Sequence, residues 1–214
     1  MRSHAASRTR APREFAIRTS DAPSIRRPRM TDDREAEVLA TVVEVLRETG
    51  YEGLTMDAIA SRARCGKATL YRQWHSKPQL VAAALHAHRP TRIDGVDTGS
   101  LRGDLHSLFA RASAQAVEDT ALMTGLARAT LDAPELARAL RETLVEPEIA
   151  EFTVFIDRAI ERGELTGRPA AMDFLPQMIL TAVLSRPLFE GEYADADYLI
   201  RYLDSALLPA LLHS

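Results

Sequence analysis

A chain of 214 residues, 46% hydrophobic and 6% aromatic, can bury one large core or a small one beside a larger one. Alanine, leucine, arginine and glutamate dominate, all good helix formers, so the composition predicts an all-α protein. The single cysteine, Cys65, excludes an intrachain disulfide and a Cys-rich zinc site, and no apolar run approaches the roughly 18–20 residues that span a bilayer; both fit a cytoplasmic protein with no membrane partner.

The formal net charge of −3 is unevenly spread. Residues 1–30 carry eight arginines against Glu14 and Asp21, residues 31–90 eight basic and eight acidic groups, and residues 91–214 eleven arginines against twenty acids. Within the balanced block, Arg62, Arg64, Lys67, Arg72 and Lys77 fall in sixteen residues with no acid among them. Such a local stripe suits phosphate.

Residues 1–30 contain Pro12, Pro23 and Pro28, scattered Arg and Ser, and no apolar period, which predicts a disordered Arg-rich tail. It is either an over-long gene start, since Met30 opens the first periodic segment, or a basic arm. A helix is expected over 31–49, capped by Thr31, with Asp32 and Asp33 at its positive end, an apolar stripe of Val38, Leu39, Val42, Val43, Val45 and Leu46, and a stop at Gly50. Thr55 caps a short helix over 56–63. Arg64-Cys65-Gly66 is a turn, a third helix covers 67–74, and Ser76 caps a fourth that carries Pro78 in its first turn and ends near His88. Residues 89–100 read as a linker. Helices then follow over 101–118, 120–133 and from Pro134, with Pro147 expected to break or kink the chain before a run over 148–162. Gly167 and Pro169 mark a loop, 170–184 is an apolar helix kinked at Pro176, Pro187 and Gly191 mark another loop, and the last helix spans about 194–212.

Two short helices joined by a three-residue turn over 55–74 make a helix-turn-helix. The first helix of such a unit crosses the DNA backbone and the second enters the major groove N-terminus first, so the opening turn of the second reaches base edges. That turn offers Lys67, Ala68 and Thr69. Backbone N–H groups at Thr55 and Ser76 sit at helix N-termini, where phosphate oxygens are well received.

At these residues the chain closely resembles the TetR family. The resemblance rests on Gly50, Thr55, Ile59-Ala60, Thr69-Leu70-Tyr71, Trp74 and Lys77, followed by Leu80, and covers about residues 34–85. It implies a DNA-binding headpiece over 31–90, with Lys67, Ala68 and Thr69 as base readers and Thr55, Tyr71, Gln73, His75 and Lys77 as phosphate anchors. Arg62 and Arg72 suit either role. Leu54, Ile59, Leu70, Trp74 and Leu80 are expected to be headpiece core. The turn departs from the family pattern: Arg64 stands where glycine is usual and Cys65-Gly66 where Val-Ser is usual. Arg64 is therefore expected at positive φ, which costs a non-glycine residue about 1 kcal/mol.

Other signals fall away. Gly66-Lys67-Ala68-Thr69 resembles the end of a P-loop, but Ser61 stands where the first glycine belongs and no strand precedes it. Asp94, Gly95 and Asp97 lack the spacing and terminal Glu of a calcium loop. His86 and His88, two apart, face different ways on a helix. Cys65 reads as a packed turn residue rather than a redox sensor. No cofactor, metal or catalytic motif emerges, and the chain is not expected to be an enzyme.

Residues 101–214 form the expected C-terminal domain. The last two helices are apolar on more than one face, a surplus that suggests a partner. The family resemblance implies a homodimer through about 170–184 and 194–212, as reading two half-sites of a palindrome also requires. It further implies a ligand pocket inside the helices that follow the headpiece, whose occupation changes the angle between two headpieces. The expected lining is Leu105, Phe109, Met123, Leu126, Phe152, Phe155 and Met178, with His106, Arg128 and Gln177 as polar groups, and the expected effector is a mostly apolar, neutral or weakly anionic small molecule. A regulator without such a ligand, controlled by a protein partner or by its own level, is the alternative.

Overall fold

The computed structural model describes residues 30–89, 95–113 and 116–213. The tail expected over 1–30 therefore lies, but for Met30, outside the described residues. The first helix, α1 (Asp32–Gly53), begins at Thr31, whose extended backbone is that of an N-cap although its hydroxyl accepts no capping bond. Gly50 interrupts the helix with φ 68°, where the stop is expected, and one further turn follows. The six-residue stripe from Val38 to Leu46 is buried as its period requires. Next come α2 (Met56–Arg62), α3 (Lys67–Trp74) and α4 (Lys77–Ala87). Thr55 Oγ1 accepts from Ala58 N–H at 3.1 Å and Ser76 Oγ from Gln79 N–H at 3.3 Å, so both expected caps form. Leu54, Ile59, Leu70, Trp74 and Leu80 are all buried.

The remaining helices are α5 (Leu101–Ser113), α6 (Ala116–Asp132), α7 (Pro134–Leu140, continuing through Arg141–Val145 and Glu146–Glu161), α8 (Leu175–Phe189, after a 3₁₀ turn Ala170–Phe174) and α9 (Ala196–Tyr202, continuing through Leu203–Leu207 and Leu208–His213). No strand occurs among the described residues. The break expected near 118–120 does not occur, because Ala116–Asp132 is one helix.

Proline acts differently from expectation at three places. Pro147 does not break α7. The helix widens into a π segment at Arg141–Val145, where Glu146 N–H reaches back five residues to Arg141 O. Proline has no N–H to donate and its ring crowds the carbonyl four residues back; a π turn just ahead of it relieves both demands without ending the helix. The same device recurs in α9, where the π segment Leu203–Leu207 precedes Pro209 by the same two residues. Pro176 opens α8 instead of kinking it, since a first turn has no intrahelical use for that N–H. Pro187, expected in a loop, lies inside α8.

The segment before α5 is less of a linker than its composition predicts. Val96 is buried and its carbonyl accepts from Arg158 Nη1 at 2.7 Å. Asp104, fully buried, accepts from Thr98 N–H at 2.6 Å and Thr98 Oγ1 at 2.8 Å, and Arg162 Nη2 lies 3.4 Å away. A buried carboxylate requires such partners. A Cβ at Gly103 would stand 2.2 Å from Thr98 Oγ1, so this approach needs a glycine.

Thr31–Ser214 form one unit. α4 packs on α1 and on the first part of α7, and α1 also meets α6. The larger core joins Leu101, Leu105 and Leu108 of α5, Phe152, Phe155 and Ile156 of α7, and Leu199, Leu203, Leu207, Leu208 and Leu211 of α9. Phe152 and Phe155 meet edge to face, 6.2 Å between centroids. Tyr198 and Tyr202 donate their hydroxyls to Ala182 O and Met178 O of α8 at 3.1 and 3.0 Å. The apolar surplus of α9 is thus largely absorbed within its own chain. That of α8 is not: Leu180, Leu188 and Phe189 are exposed, as are Phe174 just before it and Tyr193 just after.

Candidate nucleic-acid interface and cavity

The helix-turn-helix is built by α2 and α3, and α1 holds its shape. Arg64 adopts φ 49°, the left-handed conformation expected of it. Gly66 has φ −76° and ψ 137°, which any residue adopts, so it does not relax the turn; it stands at the N-cap of α3 with no side chain to cap it. Arg34 of α1 donates Nη2 to the carbonyl of Ala63 and, at 3.3 Å, to that of Arg64. The strained turn is therefore clamped by a guanidinium from thirty residues upstream. Replacing Arg34 with Met is expected to lower stability by about 1–3 kcal/mol, because the Ala63 carbonyl loses a charged partner. Denaturant unfolding at the wild-type midpoint would show that the turn stands without the clamp.

Thr55, Arg62, Lys67, Ala68, Tyr71, Arg72 and His75 are exposed, while Thr69, Gln73 and Lys77 are half-buried. Lys67, Ala68 and Thr69, the expected base readers, lie on the opening turn of α3, and Thr55 lies at the start of α2. Several members already have partners. Lys67 Nζ is 2.8 Å from Asp57 Oδ2, and that hydrogen bond raises its pKa. Arg62 Nη1 pairs with Glu48 Oε2 at 2.7 Å. Gln73 Nε2 donates to Glu35 Oε2 at 3.0 Å, tying α3 to α1. Exposed ion pairs are worth about 0–1 kcal/mol, so the first two yield readily to phosphate or bases. Lys77 Nζ lies 4.1 Å from the centroid of the Tyr51 ring; burial lowers its pKa, with Glu52 opposing. His75 has φ 60°, a second positive-φ residue, and closes α3 through its N–H to Tyr71 O at 2.9 Å. Cys65 is half-buried and burial raises its thiol pKa, the opposite of a reactive thiolate.

A cavity of about 250 Å³ lies among α1, α4, α5, α6, α7, α8 and α9. Of the residues expected to line it, Phe109, Met123 and Phe152 do. Leu105 and Phe155 are fully buried core instead. Leu126 lines a neighbouring hollow between α1 and α6, which shares Arg47 and Leu122 with the cavity. His106 bonds Asp204 at 2.9 Å on the outside of α5, Arg128 and Gln177 are exposed, and Met178 packs against the core. Helical period alone assigns these residues to faces but does not say which face meets a void. The polar lining is Arg47, His88, Arg89, Thr120 and Glu148, none of which sequence reasoning selected. The basic cluster His88-Arg89 at the end of α4 is the local signal it passed over. Among the described residues, no group of three metal-ligating side chains occurs and no helix is long and apolar enough to cross a membrane.

Two family descriptions match the sequence: "Bacterial regulatory proteins, tetR family" over residues 38–84 and "Tetracyclin repressor-like, C-terminal domain" over 96–206. The chain is 36% identical over 183 residues to the DNA-binding transcriptional repressor TetR of Mycobacteroides abscessus, covering 83% of this chain and 93% of that protein. An uncharacterized HTH-type transcriptional regulator of Mycobacterium tuberculosis is 30% identical over 188 residues, 85% of this chain and 89% of the other. Among solved structures, a TetR-family transcriptional regulator from Rhodococcus sp. superposes with a TM-score of 0.69 at 18% identity, covering 85% of this chain and all of that one.

Proposed function

The chain belongs to the TetR family of DNA-binding transcriptional regulators, and on that premise we propose that it is a homodimeric repressor, released from a palindromic operator when a small molecule enters the cavity. The cavity is the observation that carries the effector. Its walls are apolar, with Leu108, Phe109, Met123, Phe152, Ile179 and Val183 among them, and a few polar groups converge on it. This is the usual make-up of a small-molecule site. His88 and Arg89, at the end of the helix that begins beside the DNA face, belong to the lining, so an occupant touches both halves of the chain. Moving an operator complex from 99:1 bound to 99:1 released requires the ligand to prefer the released form by about 5.5 kcal/mol.

Lys67, Ala68 and Thr69 read bases in this proposal, and Thr55, Tyr71, His75 and Lys77 hold phosphates. Lys67→Ala and Thr69→Ala are expected to change the consensus recovered by binding-site selection, at about 1–3 kcal/mol per lost base contact. Lys77→Ala is expected to weaken all sequences alike and to flatten the log–log salt dependence by about one unit. An unchanged consensus for both α3 variants would overturn the recognition-helix assignment. Phe109→Trp, which fills the cavity, is expected to leave operator binding intact and abolish release.

A further inference from the structure

Arg89 lies two residues past the end of α4, in the wall of the cavity, and its side chain is 9% exposed. One nitrogen, Nη2, pairs with Glu151 Oε1 of α7. Nε and Nη1 are buried and have no hydrogen-bond partner among the described residues, and neither has Glu151 Oε2. A buried guanidinium with two N–H-bearing nitrogens unmet is costly, and an unpaired polar group in a native interior calls for a reason. The rest of the lining is mostly aliphatic and aromatic.

We propose that the effector is an amphipathic monoacid whose carboxylate docks on Arg89 while its apolar body lies along Phe109, Met123, Phe152, Ile179 and Val183. This rests on the reading of the cavity as the effector site and names the chemistry of its occupant. Arginine suits the role because its planar, permanently charged group matches a carboxylate and bonds to it more strongly than neutral donors bond. The polar groups of Arg89 left unmet are donors, which an anion satisfies and a cation does not. The proposed acid also competes with Glu151 for Arg89. That competition loosens the tie between the end of α4 and α7, and so connects occupancy to the helix that leaves the headpiece.

The test uses decanoate and its neutral analogue decanamide, titrated calorimetrically into the full chain and into Arg89→Gln, Glu151→Gln and Phe109→Trp. Decanoate is expected to bind the wild type on the order of tenfold or more tighter than decanamide. Arg89→Gln is expected to erase that preference while keeping amide binding. Glu151→Gln, which removes the competing carboxylate, is expected to tighten decanoate several-fold; opposite effects from the two partners of one ion pair cannot both arise from misfolding. Equal binding of acid and amide, both blocked by Phe109→Trp, would overturn the acid while leaving the cavity as the effector site. Binding of neither probe, or binding indifferent to Phe109→Trp, would overturn both.

Discussion

Leu203→Asp is expected to unfold the protein, whereas Leu188→Glu with Phe189→Glu is expected to yield a folded monomer with little operator affinity. Leu203 is fully inaccessible and Leu199 nearly so, both within the core shared by α5, α7 and α9. A carboxylate there has no cation to pair with, and an uncompensated buried charge costs about 3–5 kcal/mol or more, a large part of the ~5–15 kcal/mol that holds a domain together. Leu188 and Phe189, at 82% and 81% exposed, sit at the far end of α8 and contribute little to their own chain. Charges on them should leave the monomer's thermal midpoint almost unmoved and remove apolar area from the proposed dimer contact. If, as proposed, two headpieces hold a palindrome together, the loss of the dimer is expected to appear as a large drop in operator affinity. Sedimentation and thermal unfolding of the two variants provide the check. A Leu188/Phe189 double variant that remains a tight dimer would move the interface away from this end of α8.

Asp104→Ala is expected to cost about 2–4 kcal/mol, although Asp104 touches neither the DNA face nor the cavity. Its carboxylate, itself fully buried, receives Thr98 N–H and Oγ1 and faces the partly exposed Arg162. Truncation strands the Thr98 N–H and removes one of the three acids around Arg162, which keeps Asp97 and Glu164. The change should therefore loosen residues 95–100 without exposing a bare arginine charge. Faster amide exchange at Thr98 together with a lowered denaturation midpoint would report it. A wild-type midpoint would show that the carboxylate is dispensable.

The headpiece was legible because its signals are local. A cap such as Thr55 or Ser76, a stripe spaced like Val38 to Leu46, or an arginine in place of the usual glycine at position 64 each declares its geometry within a few residues. The polar contacts that set the rest are not local. Arg34 reaches Ala63 and Arg64, Gln73 reaches Glu35, and Arg89 reaches Glu151, across separations no period or propensity records. Proline was misread for a related reason. Pro147 is expected to break or kink a helix and Pro187 to mark a loop, but both lie within helices, and at Pro147 a π turn ahead of the proline absorbs the conflict. The expected ligand lining is the least legible part: Phe109, Met123 and Phe152 border the cavity while Leu105 and Phe155 fill the core, since a residue that fills a core and one that borders a void follow the same period.

The π turn at Arg141–Val145 also bears on how this chain should be lined up with its relatives. Each residue advances a helix by about 100°, so a turn that accommodates one extra residue swings everything before it by that angle relative to everything after. Leu136 and Ala139 are buried on the near side of the turn, where the helix meets α4, and Phe155, Ile156 and Ala159 on the far side, where it meets α5. A single-codon deletion between 141 and 145 would close the turn into ordinary helix and carry one of those two sets out to solvent. A relative without the turn must therefore be matched with a one-residue gap here, or every position upstream of it will be compared with the wrong face.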